Sequence, residues 1–329
     1  MTQEGSTIGR LWRRVRMNPT LGWGCEISPS GVSLARWDRS ASGLGAVAWR
    51  PLTEGAIDVS PLHENLLRAD EVRGALSGCL DSLGRSNGLQ TSGRTVDVAL
   101  VIPDQAARVF FLTFDSFPNR PAQAIPLVRW KLKKSVPFDI ESSTVSYLAT
   151  RPGREWQVLA VVSPETIVRQ YEALAESLGL KPRFVTLSTI GGLGLIPSAE
   201  SGMAKGRFLV AKYSPPWLTT AIIHEDSVRL FRTVPIGSGG EGALREILEA
   251  IHPSVAYFQD NFGMPLEAAF LCGLGEYTET VTDSLSNELH VPARTLFQEA
   301  PPPATGLDAV EAERHLAALS GISQVRRRA

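Results

Sequence analysis

The sequence has little of what a disulfide framework, a metal centre or a membrane span requires. Its three cysteines, Cys25, Cys79 and Cys272, are too few and too widely spaced for a disulfide network or a cysteine-rich metal site. No run approaches the roughly 18 apolar residues of a transmembrane helix. The N-terminus also lacks the apolar core of a signal peptide. These features favour a cytoplasmic protein and exclude a secreted, disulfide-stapled domain.

The sequence also has no excess of charge of one sign and few aromatic residues. Lys and Arg total 33 against 34 for Asp and Glu, which gives a net charge of −1, and only 7% of the residues are aromatic. Nucleic-acid proteins that act through a bulk positive field need an excess of basic residues, and those that act through a base-stacking platform need aromatic residues. We therefore expect no nucleic-acid partner.

Common catalytic motifs are missing as well. The chain has no GxxxxGK[ST] loop and no HExxH. A GxGxxG at Gly237–Gly242 does not directly follow a predicted strand, and a GxSxG at Gly84–Gly88 follows a predicted helix. These features argue against a P-loop NTPase, a Rossmann dehydrogenase, a zinc protease and an α/β-hydrolase. The five histidines are scattered and indicate no metal site.

What the sequence does contain is a two-part α/β pattern. In the first half, strands 21–27 and 32–36 form a predicted hairpin around a Ser-Pro-Ser-Gly turn. In the second half, strands 207–212 and 218–223 repeat this opening. Strands and helices alternate after each hairpin, so the pattern predicts two similar lobes with a cleft between them.

Both ends of the chain are basic. Ile8–Arg16 carries arginines on one helical face and apolar side chains on the other, and the chain closes with Arg326–Arg328. A basic amphipathic helix suits an anionic membrane surface, so contact of the termini with lipid is one interpretation. A short helix that packs on its own domain or frays is the alternative.

Four blocks in order resemble the PilM family of type IV pilus assembly proteins. They are the RW…VPFDIE stretch Val128–Glu141, the strand–helix–turn block Val158–Pro182, the VPIG of Val234–Gly237 and the FLCGLG of Phe270–Gly275. The resemblance spans about residues 21–322.

The resemblance implies the two-lobed actin-like fold shared with FtsA, Hsp70 and sugar kinases. It implies a basic segment over 1–19, a first lobe over 20–196 with an extra subdomain at about 95–162, a second lobe over 207–322 and a basic tail over 323–329. Only about two dozen residues follow Ile236 where the family has a small subdomain, so we expect that subdomain to be reduced. The residues at the family's nucleotide-binding positions are Glu26, Ser28, Ser30, Gly31, Gly273 and Gly275.

The nucleotide motifs depart from the family pattern. The first hairpin keeps a carboxylate at Glu26, but Pro29 removes a backbone donor. The second hairpin reads Ala211–Pro216, where the family has a carboxylate and a glycine, and Pro215 and Pro216 supply no N–H. Phosphoryl transfer depends on positioning and charge neutralisation by several such groups together. We expect no ATP hydrolysis, no catalytic residue and no bound cofactor, ATP and Mg²⁺ included.

The resemblance instead implies an adaptor. Its expected partner is the cytoplasmic tail of a bitopic membrane protein similar to PilN, with other components of the pilus platform nearby and the chain peripheral at the inner membrane. The candidate partner-binding residues lie in or near the RW…VPFDIE block: Phe111, Phe114, Arg129, Trp130, Lys133 and Phe138. An active actin-like ATPase and an FtsA-like membrane-associated filament protein are the alternatives.

Overall fold

The computed structural model describes residues 21–37, 44–87, 95–151, 153–196, 206–224, 227–237, 239–288, 290–297 and 307–328. The N-terminal segment over residues 1–19 therefore lies outside the described residues.

The elements of the first half follow the sequence patterns closely. In chain order they are β1 (Trp23–Ser28), β2 (Gly31–Trp37), β3 (Leu44–Pro51), α1 (Ala69–Asn87), β4 (Val96–Ile102), β5 (Arg108–Phe114), α2 (Pro121–Leu132), β6 (Ser143–Thr150), β7 (Trp156–Pro164), α3 (Glu165–Glu176), β8 (Leu180–Leu187) and α4 (Ser188–Gly192).

The second half continues the same alternation. Its elements are β9 (Arg207–Ser214), β10 (Trp217–His224), β11 (Ser227–Pro235), α5 (Glu241–Phe262), β12 (Ala268–Cys272), α6 (Thr278–Glu288), β13 (Ala293–Thr295) and α7 (Ala309–Arg328).

Each lobe is built on a five-stranded sheet of the same order. The first sheet runs β3-β2-β1-β4-β8 and the second runs β11-β10-β9-β12-β13. In each, three antiparallel strands come first and two parallel strands follow. The duplicated two-lobed architecture predicted from the hairpin spacing is confirmed.

Helices cover the sheets through their apolar faces. Leu76 of α1 and Tyr171 of α3 are buried against Leu100 of β4 in the first lobe. In the second lobe, Ile251 and Phe258 of α5 pack under the sheet. A proline inside a helical pattern can end the helix, but α5 is continuous through Pro253.

A small subdomain of the first lobe, the insert, consists of β5, α2, β6 and β7. Its sheet runs β5-β7-β6, and α2 covers one face of it with Ala124, Val128 and Leu132. The expected boundary near residue 95 is wrong, because Val96–Ile102 pairs with β1 and β8 in the main sheet. The insert therefore begins at Arg108.

The helix α7 joins the two lobes. Its N-terminus is capped, since Asp308 Oδ1 accepts a 2.8 Å bond from the Glu311 N–H. It continues to Arg328, through most of the predicted tail. Leu319 packs in one core cluster with Trp37 of β2 and Phe270 of β12. Among the helices that the structure describes, none combines the length and the apolar character that crossing a bilayer requires.

Candidate functional site

The cleft between the lobes is closed by a buried ion pair. Glu26 lies on β1 of the first lobe and Lys212 on β9 of the second, each central in its sheet. Lys212 Nζ lies 3.5 Å from Glu26 Oε1, and both side chains are 3% exposed. The hairpins that the resemblance assigns to a nucleotide are therefore joined directly to each other.

Ser188, the first residue of α4, bridges this pair. Its hydroxyl donates to Glu26 Oε1, and Lys212 Nζ donates to the same hydroxyl oxygen. The three groups form a continuous Glu–Ser–Lys contact in which the charges of the carboxylate and the ammonium offset each other across the hydroxyl. The other carboxylate oxygen, Glu26 Oε2, is buried without a hydrogen-bond partner among the described residues.

A second polar contact crosses the cleft beside the first. Asp104, which directly follows β4, accepts bonds from the Thr189 N–H at 2.9 Å and the Thr189 hydroxyl at 2.6 Å. It also accepts a 3.0 Å bond from the hydroxyl of Thr219 on β10 of the second lobe. The carboxylates of Glu26 and Asp104, which both belong to the first lobe, thus bind groups of the second lobe across the cleft.

Burial and neighbouring charges shift the pKa values of both Glu26 and Lys212. Burial raises the pKa of the Glu26 carboxyl, and the ammonium of Lys212 offsets part of this effect. Burial alone would lower the pKa of Lys212, but the negative charges around it, chiefly Glu26, outweigh burial and raise its pKa. Lys212 is therefore a cation at neutral pH.

The loop after β12 is covered by α7. Gly273 has a φ of +70° and Gly275 a φ of +61°, a backbone region that glycine adopts readily. The Gly273 N–H donates to Glu313 Oε2 at 2.9 Å, and Arg314 Nε donates to the Gly273 carbonyl oxygen at 2.9 Å. Both backbone groups of Gly273 are thus engaged within the chain.

The turn of the first hairpin is also occupied by the chain itself. The Ser28 hydroxyl donates to the Gly31 carbonyl oxygen at 2.9 Å, and the Ser30 carbonyl accepts from the Leu52 N–H at 3.1 Å. A Cβ on Gly31 would lie 2.5 Å from Trp49 Nε1, so β3 packs tightly on this turn.

These residues do not fit Mg-ATP. A site of the implied type needs carboxylates from both hairpins to hold hydrated Mg²⁺, and donors in both turns for the phosphates. Here the second hairpin has no carboxylate over Ala211–Pro216 and faces Glu26 with the ammonium of Lys212, and the turn between β9 and β10 is Pro215–Pro216. Sequence reasoning noted the missing carboxylate but missed the pairing of Lys212 with Glu26, because that contact joins residues of different lobes.

The six candidate partner-binding residues do not form one surface. Phe114 and Phe138 pack within the insert, and Arg129 Nη2 donates to the Ser143 carbonyl oxygen at 2.8 Å. Trp130 and Lys133 are exposed on α2 and directly after it. Phe111 points instead into a cavity of about 160 Å³ between the insert and β11.

A larger groove lies on the face of the insert opposite α2. It has a volume of about 820 Å³ and runs between the insert, α3 and β8. In the described part of the chain, β8 and β6 are the edge strands of their sheets, and both border the groove. Its lining includes Thr144, Ser146, Leu148, Val161, Val168, Phe184 and Leu187. Sequence reasoning placed no partner-binding residue on α3 or β8, although α3 lies within the Val158–Pro182 block that carries part of the resemblance.

Comparison with known proteins connects the chain to others through structure alone. Neither the models of protein families nor the curated proteins give a match. The structure is similar to one in the PilM–PilN type IV pilus biogenesis complex, with a TM-score of 0.70 and 16% sequence identity over 93% of this chain and 98% of the other.

Two further solved structures share the architecture. A Bacteroides thetaiotaomicron protein with an actin-like ATPase fold has a TM-score of 0.53 and 9% identity, over 93% of this chain and 97% of that one. The cytoplasmic domain of EpsL, an inner-membrane component of the type II secretion system of Vibrio cholerae, has a TM-score of 0.50 and 12% identity, over 93% and 94%. The chain has the actin-like fold, and the resemblance to PilM is confirmed at the level of the fold.

Proposed function

We propose that the chain is a cytoplasmic adaptor, peripheral at the inner membrane, in a type IV pilus-like assembly machine. It binds the N-terminal tail of a PilN-like bitopic membrane protein, works beside other platform components, and does not turn over ATP. The observation that carries this proposal is the groove of about 820 Å³ between the insert and the main sheet of the first lobe.

The groove suits an extended peptide. The edge strands β6 and β8 offer backbone groups along its sides, and strand addition to a sheet edge draws its affinity from such groups. Leu148, Val168 and Leu187 supply apolar lining for side chains of the peptide. A flexible tail loses entropy when it orders, so we expect micromolar affinity, on the order of −8 kcal/mol.

Both arginines that line the groove are already paired within the chain. Arg169 Nη1 lies 2.7 Å from Glu172 Oε2, and Arg183 Nε lies 2.8 Å from Asp97 Oδ1. The binding energy should therefore come from backbone and apolar contacts more than from charge. Binding should accordingly depend only weakly on salt.

Support for the absence of turnover comes from the cleft. Lys212 supplies a positive charge beside Glu26, which is the task of the metal in an actin-like ATPase. We therefore expect the tail to bind without nucleotide.

Titration of the tail peptide into the full-length protein, with and without Mg-ATP, tests the proposal. Val168→Arg places a charge in the groove and should weaken binding at least tenfold. Leu244→Arg is the matched control, because Leu244 is a half-buried helical position outside the groove. Peptide binding that requires ATP would favour the ATPase alternative. Binding that Val168→Arg leaves intact would place the tail elsewhere.

A further inference from the structure

The outer surface of α2 carries an exposed indole. Trp130 is 72% exposed, the highest value among the large hydrophobic side chains of the described residues. The opposite side of the helix buries Ala124, Val128 and Leu132 against the insert, so packing of the insert does not use Trp130.

The surroundings of this indole are positively charged. Between Asp115 and Asp139 the chain has no acidic residue, and its basic residues there are Arg120, Arg129, Lys131, Lys133 and Lys134. Lys133 and Lys134 follow α2 directly and are exposed. The helix dipole favours cations at this end of a helix, but it gives no reason for an exposed tryptophan beside them.

We propose that the Trp130 face of α2, with Lys133 and Lys134, is a docking surface for an anionic lipid bilayer. Indole side chains settle at the level of the lipid headgroups, and lysines are attracted to an anionic leaflet. The charge complementarity is local, because the whole chain has a net charge of only −1. This site is separate from the basic termini.

The placement agrees with the groove on the other face of the insert. One helix and one sheet lie between the Trp130 surface and the groove, a depth of about 20 Å from the usual thickness of such layers. An extended chain covers about 3.3 Å per residue, so roughly six residues equal this depth, and a tail that passes around the insert needs more than six. The lipid contact rests on the proposed function only for the expectation that a bilayer is close by.

Vesicle flotation of the full chain, without partner peptide, tests this surface independently of the groove. Vesicles of phosphatidylglycerol and phosphatidylcholine should carry the protein at low salt, and pure phosphatidylcholine vesicles should not. Trp130→Ala should reduce the bound fraction severalfold, and Lys133→Glu with Lys134→Glu should reduce it at least tenfold. The double variant Arg73→Glu with Arg245→Glu makes the same change in net charge at exposed sites on α1 and α5 and should bind like the wild type.

A spectroscopic readout identifies the contact directly. In a Trp12→Phe background, which removes the indole of the N-terminal segment, brominated lipids should quench part of the tryptophan emission, and Trp130→Phe should remove that quenched part. Flotation that is equal for wild type and the Lys133/Lys134 variant would overturn the proposal and leave the N-terminal segment as the lipid contact. Absence of binding to anionic vesicles would also overturn it. Loss of peptide binding in the Lys133/Lys134 variant, with flotation unchanged, would assign the surface to a protein partner instead.

Discussion

Lys212 of the second lobe and Glu26 of the first form an ion pair with 3.5 Å between Nζ and Oε1, although 186 positions separate them in the chain. Glu26 stands where the resemblance implies one carboxylate of a metal site, and the second hairpin presents an ammonium to it in place of a second carboxylate. The two charges offset each other within the chain.

Removal of the lysine alone should destabilise the fold. Lys212→Met leaves the Glu26 carboxylate buried without a cation, which typically costs about 3–5 kcal/mol. Glu26→Gln combined with Lys212→Met should recover most of this loss. Urea unfolding at pH 7 measures both, with the exposed Lys181→Met as the control. A single variant as stable as the wild type would contradict the role of the pair.

Exchange of the lysine for a carboxylate should create a response to metal. In Lys212→Asp, two carboxylates face each other across the cleft, and hard cations such as Mg²⁺ prefer such ligands. The variant should be less stable than the wild type without metal, and millimolar Mg²⁺ should raise its Tm by several degrees because ligands stabilise the state that they bind. The wild type should not respond. Thermal scans with NaCl at matched ionic strength provide the control, and identical responses would show that the position holds no metal.

Phosphate release should remain at background. At saturating Mg-ATP the wild type should show no more turnover than Glu26→Ala, because the cleft lacks the paired carboxylates and turn donors that phosphoryl transfer needs. Turnover that disappears in Glu26→Ala would instead establish an active ATPase.

Stability should fall in mild acid because of His315. Burial, together with the positive charges of Lys212 and Arg314, lowers the pKa of this histidine to about 3. Its pKa in the unfolded chain is about 6.5, so the stability that the neutral ring contributes is complete above that value and is lost as the pH falls. Between pH 7 and pH 5 the loss should be about 2 kcal/mol.

His315→Phe tests this loss, because it keeps a ring against Trp49, whose ring centre lies 4.8 Å away. Urea unfolding at several pH values should show a flatter pH dependence for His315→Phe. Leu67→Ala, which changes an exposed side chain that carries no titratable group, should keep the slope of the wild type. Equal slopes for wild type and His315→Phe would show that another group causes the loss.

The N-terminal segment should add to lipid binding without supplying all of it. If Ile8–Arg16 lies on an anionic surface, its four arginines contribute about 1 kcal/mol each. Deletion of residues 1–18 should then weaken flotation at low salt, with a smaller effect at high salt. Unchanged flotation would mean that this segment does not touch lipid.

Local patterns predicted the elements well. The Ser28–Gly31 turn, the apolar run of Val96–Ile102 and the cap at Asp308 each mark a feature that the structure contains. The repeated hairpin also predicted the duplication of lobes, because hairpin signals depend on neighbouring residues.

Contacts between distant segments could not be predicted in this way. The pattern of Val96–Ile102 predicts a buried strand but not the sheet to which the strand belongs. Only its pairing with β1 shows that it lies in the main sheet and not in the insert. Lys212 is conspicuous in a β-strand, but only the fold brings it to Glu26 and Ser188. The groove depends in the same way on α3 and β8 meeting the insert.

The contact between Trp37 and α7 also sets an order of events during synthesis. The Trp37 Nε1–H donates to the Leu319 carbonyl oxygen at 3.3 Å, across 282 residues, and a Cβ on Gly24 would lie 2.7 Å from a methyl carbon of Leu319. A ribosome that adds about 5–20 residues per second makes Leu319 tens of seconds after Trp37. The first lobe must therefore emerge with this apolar surface uncovered, and its fold is completed only by residues that are translated 282 positions later.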